Sequence, residues 1–163
     1  MTHVAYILLG SNLGDRHGYL QRAREEMNKN TGVISSVSHI YETEPIGMES
    51  DLSFLNQAVK LETDLTPVEL LKSLHGIEKK YGRLRLEKLS PRTIDLDIVL
   101  YDNQEFTSEY LTIPHPRLHV RNFVLAPLSE IAGNVLHPVL GRTISELYKL
   151  SSDQGEVSIL AES

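Results

Sequence analysis

Two carboxylates, Asp95 and Asp97, stand two residues apart inside the stretch LSPRTIDLDIVLYD, residues 89–102. Around them Ile94, Leu96, Ile98 and Leu100 recur at every second position, the pattern of a strand with one apolar face. Asp is disfavoured in strands because its short side chain competes for backbone hydrogen bonds. Residues i and i+2 of a strand point to the same side, with Cα atoms about 6.6 Å apart. If the four aliphatic residues face the core, both carboxylates share the other face. Two unpaired carboxylates at that spacing repel each other, so a cation between them is expected. Mg²⁺ suits the position: it takes oxygen ligands, keeps several waters, and is held by one or two carboxylates plus substrate phosphates. The alternative is a solvated strand face that carries two acids.

The preceding residues favour the first reading. From Lys79 to Arg92 there are six basic residues, Lys79, Lys80, Arg83, Arg85, Lys88 and Arg92, against one acid, Glu87, inside a chain of net charge −6. Lys79 and Lys80 close a helical pattern and favour its dipole. Arg83, Arg85 and Arg92 lie beyond it, in a segment marked as a loop by Gly82 and Pro91. The planar guanidinium fork binds phosphate oxygens in pairs. Paired carboxylates beside an arginine loop are the parts that bind Mg²⁺ and a polyphosphate together.

Other polar residues carry less by themselves. Glu78 is either a solvated edge residue or an acceptor for a ribose. His115 and His119, with Arg117 and Arg121, cluster around Pro114 and Pro116; the histidines suit local capping better than a Mg²⁺ site, which prefers oxygen. GSNLG at 10–14 lacks the Gly-Lys-Ser/Thr of a P-loop. Phe54 and Asn56 share a strand face, so an aromatic platform and an amide could grip a planar heterocycle; simple packing of the Phe is the alternative.

The elements that must position these residues follow from periodicity and local signals. His3 to Leu9 reads as a strand, Gly10 to Asp15 as a turn, and about 15–30 as a helix with Leu20, Ala23 and Met27 on one side. Val33 to Thr43 is β-rich, and Phe54 to Thr63 is a strand with Leu55, Val59 and Leu61 on one face. Thr66, Pro67 and Glu69 announce a helix through a capping box, with the Leu65–Leu70 staple and a stripe of Leu70, Leu74, Ile77 and Tyr81, stopped at Gly82. After the Asp-rich strand come a turn at Asp102-Asn103, a short irregular strand, and a helix from about Arg121. The order β-α-β-β-α-β predicts an α+β, ferredoxin-like antiparallel sheet with helices on one face, extended by a C-terminal hairpin and helices. Residues 1–150 are expected to form a single domain, with 151–163 a polar, loosely held tail.

Composition bounds the function. A chain of 163 residues fits one domain that buries about 70% of its unfolded surface. It has no cysteine, which removes disulfides, thiolate zinc sites and thiol nucleophiles. No apolar run approaches the roughly 20 residues of a membrane span, and the N-terminus lacks the marks of a secretory signal. A cytoplasmic location and no membrane partner are expected. Acidity argues against nucleic acid as a partner; an RNA-binding module on the open sheet face and a metal-dependent phosphodiesterase are the two rival functions.

The ordered motifs GSNLG (10–14), YETEPIG (41–47), FLNQAV (54–59), GRLR (82–85), PRTIDLDIVLYD (91–102) and IPHPR (113–117) resemble those of the hydroxymethyldihydropterin pyrophosphokinases of folate biosynthesis, over about residues 3–150. The resemblance implies an ATP-dependent transferase that moves pyrophosphate from Mg-ATP to 6-hydroxymethyl-7,8-dihydropterin and releases AMP. It implies that Asp95 and Asp97 hold two Mg²⁺ ions and that Arg83 and Arg92 stabilise the transferring group, these four being the catalytic residues. Arg85, His115 and Arg121 would hold nucleotide phosphates, and His75, Glu78, Ile98, Leu111 and Thr112 the adenosine. The pterin would lie between Phe54 and Phe123, read by Asn56 and by Thr43, Pro45 and Ile46, with Asp95 near its hydroxymethyl. Ser90 and Leu89 replace the Gly and the aromatic that the family usually has there, and Phe54 stands where some relatives have Tyr. Small molecules are the expected partners, with a monomer slightly favoured.

Overall fold

In the computed structural model, residues 2–43, 53–82 and 93–160 are described. The chain runs through β1 (His3–Ser11), α1 (Arg16–Asn30), β2 (Val33–Val37), β3 (Tyr41–Thr43), β4 (Phe54–Thr63), α2 (Pro67–Lys80) and β5 (Asp95–Tyr101). It continues through β6 (Phe106–Thr107), β7 (Thr112–Ile113), a 3₁₀ turn (Leu118–Val120), α3 (Asn122–Ala132), α4 (Ile144–Leu150) and β8 (Val157–Ile159). The main sheet is ordered β5-β1-β4-β3-β8, with β2 also paired to β4, and every pairing is antiparallel. This is the ferredoxin-like α+β arrangement. β6 and β7 form a separate two-stranded ribbon.

α2 shows how local sequence builds the frame. Thr66 Oγ1 accepts the Glu69 N–H and Glu69 Oε1 accepts the Thr66 N–H, closing the capping box with Pro67 at the first turn. Such a cap contributes about 1 kcal/mol. Gly82, at φ 85°, takes the left-handed conformation that ends the helix. Leu70, Leu74 and Ile77 of α2, with Leu20, Ala23 and Met27 of α1, pack on one face of the sheet against Ala5, Ile7, Leu9, Leu55, Val59, Leu61, Ile94, Leu96 and Ile98. Burying each large side chain contributes about 1.5–3 kcal/mol.

Three details depart from the sequence reading. Val33 to Thr43 is not one strand: β2 pairs with Val59–Glu62 and β3 with Phe54–Asn56, both on the same edge of β4. The break falls at Ser38, whose hydroxyl takes the Ala58 N–H in place of a ladder carbonyl, while Gln57 Nε2 donates to its carbonyl. Leu100 does not face α1 and α2. The β1–β5 register passes from Tyr6↔Leu100 to Ile7↔Ile98, so Val99 is a bulge residue and the alternation inverts after it. Leu100 and Val99 therefore share the opposite face, and Tyr101 turns inward to donate its hydroxyl to the Leu65 carbonyl at 2.6 Å. That opposite face is itself largely covered. Val124, Leu125 and Leu128 of α3 and Ile144 and Leu147 of α4 pack there on Tyr6, Leu8, Ala58, Val99 and Leu100.

The segment after Leu150, whose polar composition announces no element, supplies β8 at the sheet edge, in register with β3 as Tyr41↔Ile159 and Thr43↔Val157. α3 is tied to the same edge by Glu130. Its carboxylate accepts the Tyr41 hydroxyl at 2.8 Å, the His39 N–H at 3.1 Å and a contact from His39 Nδ1 at 2.9 Å. Burial alone would raise the Glu130 carboxyl, but these bonds outweigh it and hold the group below its ordinary value. A carboxylate depressed on folding contributes stability above its unfolded pKa and loses it as pH falls through the folded one. Glu130→Gln is therefore expected to lower the melting temperature at pH 7, with the gap to the parent narrowing as pH drops below about 4, near the reference carboxylate value. A gap that stays constant across melts from pH 7 to pH 3 would rule this out.

Candidate active site

The register of three strands places the polar residues. Asp95 of β5 lies opposite Gly10 of β1, and Gly10 lies opposite Asn56 of β4. Residues directly opposite project to the same face, so Asp95, Gly10 and Asn56 form one row, beside the parallel row of Asp97, Leu8 and Ala58. At about 4.8 Å per strand, Asp95 and Asn56 stand about 10 Å apart with only glycine between them. A Cβ at Gly10 would sit 3.1 Å from Asn56 Oδ1. The glycine thus leaves a floor between a carboxylate and an amide. Asn56 is 3% exposed and its Nδ2 reaches Thr43 Oγ1 at 3.4 Å.

β5 is an edge strand, and edge strands leave backbone groups without a strand partner. Glu78, near the end of α2, accepts the Leu96 N–H on its Oε2 at 2.7 Å. At 2% exposure it is no solvated edge residue. It grips the strand between Asp95 and Asp97. On the same strand the Val99 carbonyl accepts the His115 N–H at 3.0 Å. Burial pushes His115 below its ordinary value; Arg121 and Arg117 push the same way and Asp95 opposes them. His115 is therefore neutral at pH 7. Its Nδ1 accepts the Arg117 N–H at 3.2 Å, which leaves the proton on Nε2 as a donor.

The GSNLG stretch forms the corner between β1 and α1. Gly10 and Ser11 finish β1, Gly14 turns at φ 69°, and Asp15 caps α1 through the Gly18 N–H. Ser11 Oγ donates to the Thr93 carbonyl, pinning the chain two residues before Asp95. Arg16 Nη1 donates to the Ser53 carbonyl at 2.8 Å, directly before Phe54. Lys80 is engaged elsewhere, in an ion pair with Glu26 of α1.

The sequence model of the 7,8-dihydro-6-hydroxymethylpterin-pyrophosphokinase family matches residues 6–133. The chain belongs to that family. It is 47% identical over 136 residues to the 2-amino-4-hydroxy-6-hydroxymethyldihydropteridine pyrophosphokinase of Bacillus subtilis, covering 83% of this chain and 81% of the relative. It is 40% identical over 153 residues to the folic acid synthesis protein fol1 of Schizosaccharomyces pombe, where 93% of this chain spans 21% of the longer protein. The fold is also that of a Plasmodium falciparum HPPK-DHPS protein solved with pterin and p-hydroxybenzoate. The TM-score is 0.74 at 18% identity, over 92% of this chain and 42% of that one.

On this pyrophosphokinase frame, Asp95, Asp97, Asn56, Phe54 and Thr43 come from one sheet face, and His115 lies within electrostatic reach of Arg121 and Asp95. Phe123 lies in the first turn of α3, half-buried, with the Arg121 guanidinium 5.4 Å from its ring centroid. Of the residues assigned to the adenosine, His75 is half-buried on α2, Leu111 is buried and Thr112 is exposed. Ile98 is 3% exposed and packs in the helix-side core. Arg83, Arg85, Arg92, Pro45 and Ile46 lie outside the described residues. Sequence reasoning gave Gly10, Arg16 and Glu130 no role. Gly10 had a visible signal in its motif, but the residues opposite it are set by strand pairing.

Proposed function

We propose that this chain transfers the pyrophosphoryl group of ATP to 6-hydroxymethyl-7,8-dihydropterin through the face built by Asp95, Asp97 and Asn56. The observation that carries the reading is the row Asp95–Gly10–Asn56, a carboxylate and an amide separated by a bare floor, in a chain of the pyrophosphokinase family. The hydroxymethyl oxygen bonds to the β-phosphorus of ATP, the bond from that phosphorus to the oxygen bridging to the α-phosphorus breaks, AMP leaves, and the hydroxyl proton passes to solvent.

Each residue has work suited to its place. Asn56 offers both an acceptor and donors to a heterocycle edge, with Thr43, Pro45 and Ile46 beside it and Phe54 and Phe123 stacking on the ring. His115, neutral with Nε2 protonated, donates to a phosphate oxygen. Arg121 and Arg85 bind phosphates too, and Arg83 and Arg92 meet the charge of the transferring group. His75, Glu78, Ile98, Leu111 and Thr112 border the adenosine, with Glu78 also fixing β5 between the carboxylates. Asp95 and Asp97 supply hard oxygen donors on one face, a set that fits Mg²⁺, and we propose that they hold two ions. Bound there, Mg²⁺ would neutralise phosphate charge. Among the described residues no helix is long and apolar enough to cross a membrane. A cytoplasmic monomer of one domain is the setting we propose, in keeping with a chain free of cysteine.

Incubation with Mg²⁺, ATP and the pterin alcohol should give AMP and pterin pyrophosphate in equal amounts. AMP formed equally well without the pterin would indicate a phosphodiesterase instead. Gly10→Ala offers a sharper check on the floor between the two groups. Its Cβ must push Asn56 by a few tenths of an ångström, and a polar group moved off its partner costs about 1–3 kcal/mol. Pterin affinity is expected to fall about tenfold or more by the same relation, while the affinity for an ATP analogue stays within about twofold. Equal losses for both ligands in calorimetry would count against the assignment.

A further inference from the structure

We infer that the segment after Leu150 is a positioning element of the pterin pocket, with Asp153 acting through Asn122 to set the first turn of α3. The inference rests on the reading of Phe123 as one wall of that pocket. The first N–H groups of a helix have no intrahelical partner and are usually capped by the residue just before it. In α3 that residue is Arg121, whose side chain makes no capping bond. Asp153, 31 positions away, does so instead: its Oδ2 accepts the Asn122 N–H at 2.7 Å. Its carbonyl accepts Asn122 Nδ2 at 3.0 Å. Asn122 Oδ1 is buried with no partner among the described residues, so the hydrogen bonds that grip this residue come from Asp153.

Asp153 is itself fixed. Its N–H donates to Ser151 Oγ at 3.2 Å and its Oδ1 accepts the Gly155 N–H at 2.8 Å. Just downstream, β8 pairs with β3, Thr43 opposite Val157, and the Leu160 N–H donates to the Ile40 carbonyl at 2.8 Å. One short stretch therefore holds both sides of the pocket: the turn that carries Arg121 and Phe123, and the strand that carries Thr43 beside Phe54. A carboxylate at a helix N-terminus is also favoured by the helix dipole. Stacking a ring between two aromatics depends on their spacing, and displacements of about 1 Å already cost activity.

The test is a double-mutant cycle read by calorimetry of pterin binding with an ATP analogue present. Asp153→Ala is expected to weaken pterin binding about fivefold, the scale of a lost helix cap. Phe123→Ala should weaken it further, and in that background Asp153→Ala should have almost no additional effect. Asp153→Asn is isosteric and keeps one of the two acceptors, so it should recover about half of the free energy lost in the Ala variant. If the Ala variant does not fold, a two- to threefold loss in the Asn variant, about half the free energy of a lost cap and erased by Phe123→Ala, carries the same inference. An Asp153→Ala protein with lowered melting temperature and unchanged pterin affinity would overturn the inference and leave the pocket reading intact, as would a loss that persists in full without Phe123. If Phe123→Ala by itself leaves pterin affinity unchanged, the pocket reading fails and the inference falls with it.

Discussion

Asp97→Ala is expected to lower kcat by at least about a thousandfold, the several kcal/mol attributed to a bound cation at a transferring phosphoryl group. Its fold should survive. The side chain lies half-buried on the polar face, opposite Leu8, while its neighbours Leu96 and Ile98 are the residues packed in the core. Circular dichroism should show a folded protein with a melting temperature close to that of the parent, and single-turnover assays should show the loss in the chemical step. Asp97→Asn should restore little, because a neutral amide oxygen is a poor substitute for carboxylate at a hard cation. Chelation with EDTA should abolish parental activity and Mg²⁺ should restore it. Full activity in either the Ala variant or the chelated enzyme would remove Asp97 from the metal role.

Arg92→Ala is the second large effect expected, at least about a hundredfold in kcat, in line with loss of one preorganised stabiliser. Arg92 lies outside the described residues, but the chain beside it is held: Thr93 is pinned by Ser11 and β5 begins at Asp95, three positions on. A guanidinium three positions before Asp95 along the chain suits charge that builds on the bridging oxygen as AMP departs, the role proposed for Arg92. An interaction made mainly in the transition state lowers kcat and spares ground-state binding. The Kd for Mg-ATP should accordingly change little. Arg92→Lys should recover only part of the rate, because a point charge lacks the paired donors of the guanidinium. Loss of ATP affinity with an unchanged single-turnover rate would make Arg92 a ground-state anchor and pass its catalytic role to Arg83.

Features that depend on neighbours along the chain are legible in residue order alone. The limits of α2 follow from Thr66, Pro67, Glu69 and Gly82, all acting within one turn of the helix ends. The shared face of Asp95 and Asp97 follows from a period of two, which holds as long as the strand is regular. The family motifs and the reversal of charge between Lys79 and Arg92 were likewise visible in linear order. Tertiary structure decided whatever depends on which strand lies beside which. The bulge at Val99 inverted Leu100 because β5 had to follow the register of β1, and no residue in the local pattern announces it. Glu78 changed from an ambiguous edge acid to the acceptor for the Leu96 N–H once α2 had packed beside the open edge of β5. Gly10 acquired its meaning only when β5 and β4 brought Asp95 and Asn56 to either side of it. Asp153 and Glu130 hold α3 by bonds that close loops of 31 and about 90 residues. Local propensities extend only a few residues along the chain, so contacts at such separations exist only after the sheet has formed.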